Sequence, residues 1–204
     1  MTSNHQASRR TKRAPKPLSA PALEELALSY VARFATSSAK LRRYLERKLR
    51  ERGWEDIDSE ESSEDGPDLS ALVARFVEKG YVDDAAYARM RSSDLLRRGY
   101  GGNRVRQALG QAGITEELRE KMQPGEVQKR RAALHLAKKR RFGPFGLEKL
   151  APEKREKQIA AMLRAGHTFD HARTLIGADN ETRAHEWLAE AEEWHEETDD
   201  DDFA

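Results

Sequence analysis

The sequence predicts an all-α protein: an elongated tandem array of three three-helix repeats, with a disordered basic N-terminal arm and an acidic C-terminal helix and tail. Three observations predict it. Alternation of apolar and polar residues with period two is absent, so nothing reads as a strand. One helix stop recurs five times: an apolar residue, glycine four positions on, and a closing residue directly after it. The instances are Leu49-Gly53-Trp54, Phe76-Gly80-Tyr81, Leu95-Gly99-Tyr100, Leu109-Gly113-Ile114 and Met162-Gly166-His167. A glycine there can take the left-handed conformation, letting the next side chain fold back on the last turn. Charged residues, at 36%, nearly equal hydrophobic ones at 37%, which suits thin layers of amphipathic helices better than one thick core.

Residues 1–18 form the arm. Residues 1–17 carry Arg9, Arg10, Lys12, Arg13 and Lys16, no acid and almost nothing apolar. The first repeat spans 19–82. Ser19 and Pro21 open its first helix, which carries Leu23, Leu26, Ala27, Tyr30, Val31 and Phe34 on one face. The stretch from Thr36 to Ser38 breaks it. Leu41, Tyr44, Leu45 and Leu49 line the second helix, and Arg42, Arg43, Arg47, Arg50 and Arg52 its other face. An acidic loop at 55–67 reads as a flexible insertion, and Asp68 caps a third helix bearing Leu69, Leu72, Val73, Phe76 and Val77.

The second repeat, 83–124, holds helices over about 84–98, 103–112 and 115–122. Thr115 with Glu116 and Glu117 is a cap followed by acids that suit the helix dipole. The third, 125–177, opens with a helix from Glu126 to the run Lys138-Lys139-Arg140-Arg141 and continues with helices over about 152–165 and 169–176. Residues 178–204 supply a helix over 180–195, with Trp187, Leu188, Ala191 and Trp194 on one side, and an acidic tail over 198–204.

The net charge of +1 conceals segregation. Setting aside +5 in residues 1–17, −8 in 55–68 and −11 in 178–204 leaves +15 on the helical body. Such a body suits a nucleic acid or another polyanion. Cysteine is absent, which excludes disulfides, thiol nucleophiles and cysteine-ligated metals. There is no apolar leader and no run approaching a membrane span, so a soluble cytoplasmic protein with no membrane partner is expected.

Candidate chemistry competes with plainer readings. Asp83 and Asp84 could pair as catalytic carboxylates but read better as a cap and a first-turn acid. His167 and His171 have the spacing of two metal ligands on a helix, yet Gly166 and Thr168 place a helix boundary there. His185 and His195 sit among acids and read as solvent-facing. The run Gly99-Tyr100-Gly101-Gly102 lacks the Lys-Ser/Thr and preceding strand of a P-loop; it is a tight turn, at which one phosphate could still touch Arg104. Trp187 and Trp194, seven apart, read as packing onto the third repeat, against the sharper option of an autoinhibitory acidic cover. The favoured binding residues are Arg97, Arg98, Arg104 and Arg106 around one turn, and Lys138, Lys139, Arg140 and Arg141 in a second cluster. No nucleophile, metal set or cofactor loop emerges, so neither an enzyme nor a cofactor is expected.

The order of motifs resembles the RecX family, bacterial regulators of the RecA recombinase. The resemblance rests on Gly80-Tyr81-Val82-Asp83-Asp84 with Tyr87-Ala88, on Arg97-Arg98-Gly99-Tyr100-Gly101 with Arg104-Val105 and Leu109, and on Gly113-Ile114. It extends upstream through Leu41 to Gly53 and, more weakly, downstream through Met162 to Asp170. It implies three-helix repeats and binding along the groove of a RecA–single-strand DNA filament, with recombinase, ATPase and coprotease activity mainly inhibited. A monomer that meets single-strand DNA directly or through the filament is expected. The rival is a helical DNA-binding module or transcription regulator acting directly on DNA.

Overall fold

The computed structural model describes residues 16–55, 66–147 and 151–201. Most of the basic arm, the centre of the acidic loop and the last three tail residues therefore lie outside the described residues. Among the described residues there are ten α-helices and no strand. They are α1 (Ala20–Val31), α2 (Ser38–Arg52), α3 (Leu69–Glu78), α4 (Asp84–Arg97), α5 (Gly102–Gln111), α6 (Glu116–Lys121), α7 (Glu126–Arg140), α8 (Pro152–Arg164), α9 (Phe169–Ile176) and α10 (Glu181–Asp201). The chain divides into two compact units, one of residues up to 35 with 40–81, the other of 36–39 with residues from 82 onward.

In the first unit, Leu18, Leu23, Ala27, Leu41, Leu45, Leu72, Val73 and Phe76 are buried. Leu18 N–H donates to Gly53 O at 2.9 Å and Glu55 N–H to Leu18 O at 3.0 Å, pinning the strand-like entrance of the chain against the end of α2. The Asp68 carboxylate accepts from the amides of Ser70 and Ala71, satisfying two of the donors a helix start leaves open. Phe34 departs from expectation. α1 ends at Val31, and the amides of Arg33 and Phe34 both turn back onto Tyr30 O, so Phe34 lies in the turn and is 56% exposed.

In the second unit, α4, α5 and α6 enclose Tyr87, Ala88, Leu95, Val105, Leu109, Ala112 and Ile114. Asp83 caps α4 by accepting from Ala86 N–H at 2.8 Å. Asp84 accepts from Ser38 N–H at 2.8 Å, so the two carboxylates serve two different helix starts, α4 and α2. Ser37 Oγ donates to Ala112 O at 2.6 Å, at a carbonyl the end of α5 leaves open. A second core gathers Ala133, Leu134, Leu136, Ala137, Met162, Ala172, Leu175, Ile176 and Ala184, from α7 to α10, with Trp187 and Leu188 packed against it. α10 thus belongs to this core. It also runs beyond the expected end near 195 to Asp201, since no glycine or proline intervenes to stop it.

All five stop glycines have left-handed φ, from 72° to 94°. A sixth stop escapes the sequence pattern because its residue is not glycine. Arg141 adopts φ 54° and ψ 48°, and Phe142 N–H reaches back to Ala137 O at 2.9 Å. Tyr81, Tyr100, Ile114 and His167 reach back in the same way to Phe76, Leu95, Leu109 and Met162.

Candidate polyanion-binding surface

The turn between α4 and α5 holds the first basic cluster, and it is itself held by the turn between α8 and α9. Gly101 N–H donates to Ala165 O at 3.0 Å and Asn103 N–H to Gly166 O at 3.1 Å. The contact is backbone against backbone: a Cβ on Gly101 would stand 2.3 Å from Gly166 O, and one on Gly166 would stand 2.4 Å from Arg104 N. Two glycines are required because neither turn leaves room for a side chain. The same contact occupies the Gly101 and Asn103 amides, while the Arg104 side chain stays exposed.

His167 completes the contact. It is 2% exposed, and its Nε2 lies 3.0 Å from Gly99 O. A carbonyl can only accept, so Nε2 carries the proton and Nδ1 is bare, buried without a hydrogen-bond partner. Burial pushes the His167 pKa below its usual value; the bond to Gly99 opposes this and the charge of His171 adds to it. His171 instead meets Glu126, with Nε2 and Oε1 2.8 Å apart, and its ring lies edge-on to Trp187. The two histidines therefore serve separate contacts, and among the described residues no three His, Asp or Glu side chains gather in a way that could hold a metal.

The four arginines of this cluster are exposed but not equivalent. Arg97 and Arg98 share Asp94, at 3.9 and 3.6 Å, and the Arg98 guanidinium lies 5.6 Å from the Tyr100 ring centre. Arg104 donates to Gln107 at 2.7 Å. Arg106 pairs instead with Glu116 at the start of α6, and that bond, foremost, holds the Glu116 carboxyl below its usual range. Positions 104 and 106 differ by about 200° around α5. The structure gathers Arg97, Arg98 and Arg104 at the turn and turns Arg106 toward α6.

The second cluster ends α7. Lys138, Lys139, Arg140 and Arg141 are all exposed. Lys138 Nζ lies 2.7 Å from His185 Nε2, and His185 Nδ1 faces Glu181 O at 2.6 Å. His185 is exposed as expected, though engaged. Further along the same helix pair, Arg130 donates to Trp187 O at 2.6 Å, lies 4.9 Å from the Trp187 ring centre and pairs with Glu126 and Glu190. Arg131 meets Glu192 at 2.6 Å. Acidic α10 thus lies along basic α7. Arg130 carries no motif that marks it in the sequence. Its available signal was Trp187 and Glu190, spaced three apart on α10. Trp187 packs as expected, whereas Trp194 is 75% exposed and lines a groove of about 920 Å³ with Gln123, Val127 and Arg131.

No helix among the described residues is long and apolar enough to cross a membrane. Residues 83–122 match the model of the second three-helix domain of RecX. Over 174 residues the chain is 32% identical to regulatory protein RecX of Myxococcus xanthus, covering 83% of this chain and 92% of that one. Over 137 residues it is 26% identical to regulatory protein RecX of Vibrio parahaemolyticus, covering 67% and 81%. The crystal structure of RecX from Lactobacillus salivarius aligns with a TM-score of 0.56 at 17% identity, over 74% of this chain and 90% of that chain. A second crystal structure of regulatory protein RecX aligns with a TM-score of 0.57 at 17% identity, over 76% and 69%. At that identity the structural likeness speaks for the fold alone.

Proposed function

The chain belongs to the RecX family of regulatory proteins, and from that premise we propose that it binds the filament formed by RecA recombinase on single-strand DNA and limits its ATPase, strand-exchange and coprotease activity. The observation that carries the reading is the likeness to the Myxococcus regulator, which extends over 92% of that protein. The charge of the helical body supports it, because a filament groove offers both phosphates and carboxylates to arginine. The role is that of a monomeric, non-enzymatic binder without cofactor, built of repeats at 19–82, 83–124 and 125–177 with 178–204 behind them. Arg97, Arg98 and Arg104 at the α4–α5 turn make the first contact in this reading. Arg106 and the run from Lys138 to Arg141 are secondary.

The test is a titration of RecA ATP hydrolysis on single-strand DNA. The parent should inhibit at less than one copy per recombinase subunit. Replacing Arg97, Arg98, Arg104 and Arg106 together with Ala should weaken inhibition at unchanged helicity, because exposed charges contribute little to folding. A parent that leaves RecA untouched but shifts a specific duplex in a gel would instead make the chain a DNA-binding regulator. A quadruple variant that inhibits like the parent would move the contact to the run from Lys138 to Arg141.

A further inference from the structure

We propose that the first unit carries a base-stacking site for single-strand nucleic acid, formed by Phe34, Tyr30 and Tyr44 beside the cations of α2. Tyr30 and Tyr44 stack with ring centres 4.1 Å apart and planes 15° apart, joining α1 to α2. Phe34 leans on Tyr30 at 5.3 Å and 46° and is more than half exposed. The row of rings is therefore fixed at one end by helix packing and open at the other. Fixed rings lose little freedom when a ligand stacks on them.

Cations flank the Tyr44 end of this row and can hold the phosphates of such a ligand. The Arg47 guanidinium and the Lys48 ammonium lie 5.6 and 5.9 Å from the Tyr44 ring centre. Arg43, Arg47 and Arg50 are exposed on α2, and their spacing places them within about 60° of one another along roughly 10 Å of helix. Arg47 and Lys48 both pair with Glu51, at 3.6 and 2.6 Å, but these are exposed pairs of the kind phosphates can displace. An acidic protein face would satisfy the arginines and leave the Phe34 ring unused. A duplex would present phosphates and base edges, but its base faces are stacked inside. Only an unpaired strand offers phosphates and π-faces together.

The site goes beyond the filament reading, since it needs no recombinase, and it is tested without one. Binding is measured by fluorescence anisotropy with an oligothymidylate and with a sugar-phosphate strand of equal length that lacks bases. The parent should prefer the strand with bases. Phe34→Ala should lose about 5- to 150-fold in affinity for oligothymidylate, the range expected for one base–aromatic stack, and none for the baseless strand. Phe34→Tyr should restore the loss, which shows that the ring and not a fold defect is measured. Arg47→Gln with Arg50→Gln should weaken both. Equal parental affinity for the two strands, or an unchanged oligothymidylate affinity in Phe34→Ala, overturns the site. If Phe34→Ala weakens only the inhibition of RecA, the ring belongs to a protein contact and the base-stacking assignment fails. None of these outcomes alters the ATPase titration by which the filament reading stands or falls.

Discussion

The α4–α5 turn and the first half of α7 both present arginines, but the fold treats them differently. Arg97, Arg98 and Arg104 meet local partners, Asp94, the Tyr100 ring and Gln107, and are exposed. On α7, Arg130 and Arg131 are met by Glu190 and Glu192 of a helix far along the chain. A cation held by its own helix is available to a partner at little cost. One held by a distant acidic helix is neutralised as part of the fold. Arginines of equal charge can thus differ in what they offer.

The largest expected effect comes from removing that acidic helix. Deleting 178–204 would strip acid from a basic body, but it would also take Ala184, Trp187, Leu188 and Ala191 out of a packed core. We expect a loss of more than about 3 kcal/mol, read as collapse of the thermal transition of the second unit. Stopping the chain after Glu193 removes six acids beyond the core. It should keep the transition and raise affinity for a polyanion a few-fold. Weaker binding by this folded variant would make the segment a contact surface.

The next effect falls on the turn. Gly101→Ala must push a methyl against Gly166, and a cost of about 1–3 kcal/mol in urea denaturation is expected. A midpoint within error of the parent's would mean the two turns can separate freely. Arg141→Gly should act in the opposite sense, stabilising by roughly 1 kcal/mol because glycine relieves the left-handed backbone. No gain would show that the arginine side chain stabilises the end of α7.

The smallest effect is on pH dependence. The folded His167 pKa lies below its unfolded value, so the unfolded chain takes up its proton first as pH falls. The stabilisation is complete above the unfolded pKa near 6.5 and is lost as pH drops from there through the folded pKa. His167→Gln should flatten the slope of stability against pH below about 6.5. An unchanged slope would assign the dependence to other groups.

What the sequence disclosed was local. The left-handed glycines of the five stops and the caps at Asp68, Asp83 and Thr115 depend on residues within a turn of one another and appear as expected, although Trp54 bridges to Leu18 after its glycine. Arg141 was hidden because the left-handed position is judged by residue type, and arginine is a poor candidate; Phe142 was the remaining clue. The seat of Asp84 on α2, the docking of Gly101 on Gly166 and the burial of His167 all join distant segments, which no periodicity encodes. The length of α10 was misjudged because a run of acids suggested a tail although nothing in it stops a helix.

The meeting of the two turns also bears on the order of folding. Each helical hairpin can close over a few residues, but His167 and Gly99 are 68 residues apart. Closing so long a loop costs entropy that local packing must first offset. The turn contact should therefore form after the folding barrier is crossed. In stopped-flow measurements Gly101→Ala should then mainly speed unfolding and leave the refolding rate close to the parent's. On this view the paired glycines act as a late clasp: they add little to how fast the chain finds its fold and much to how long it keeps it.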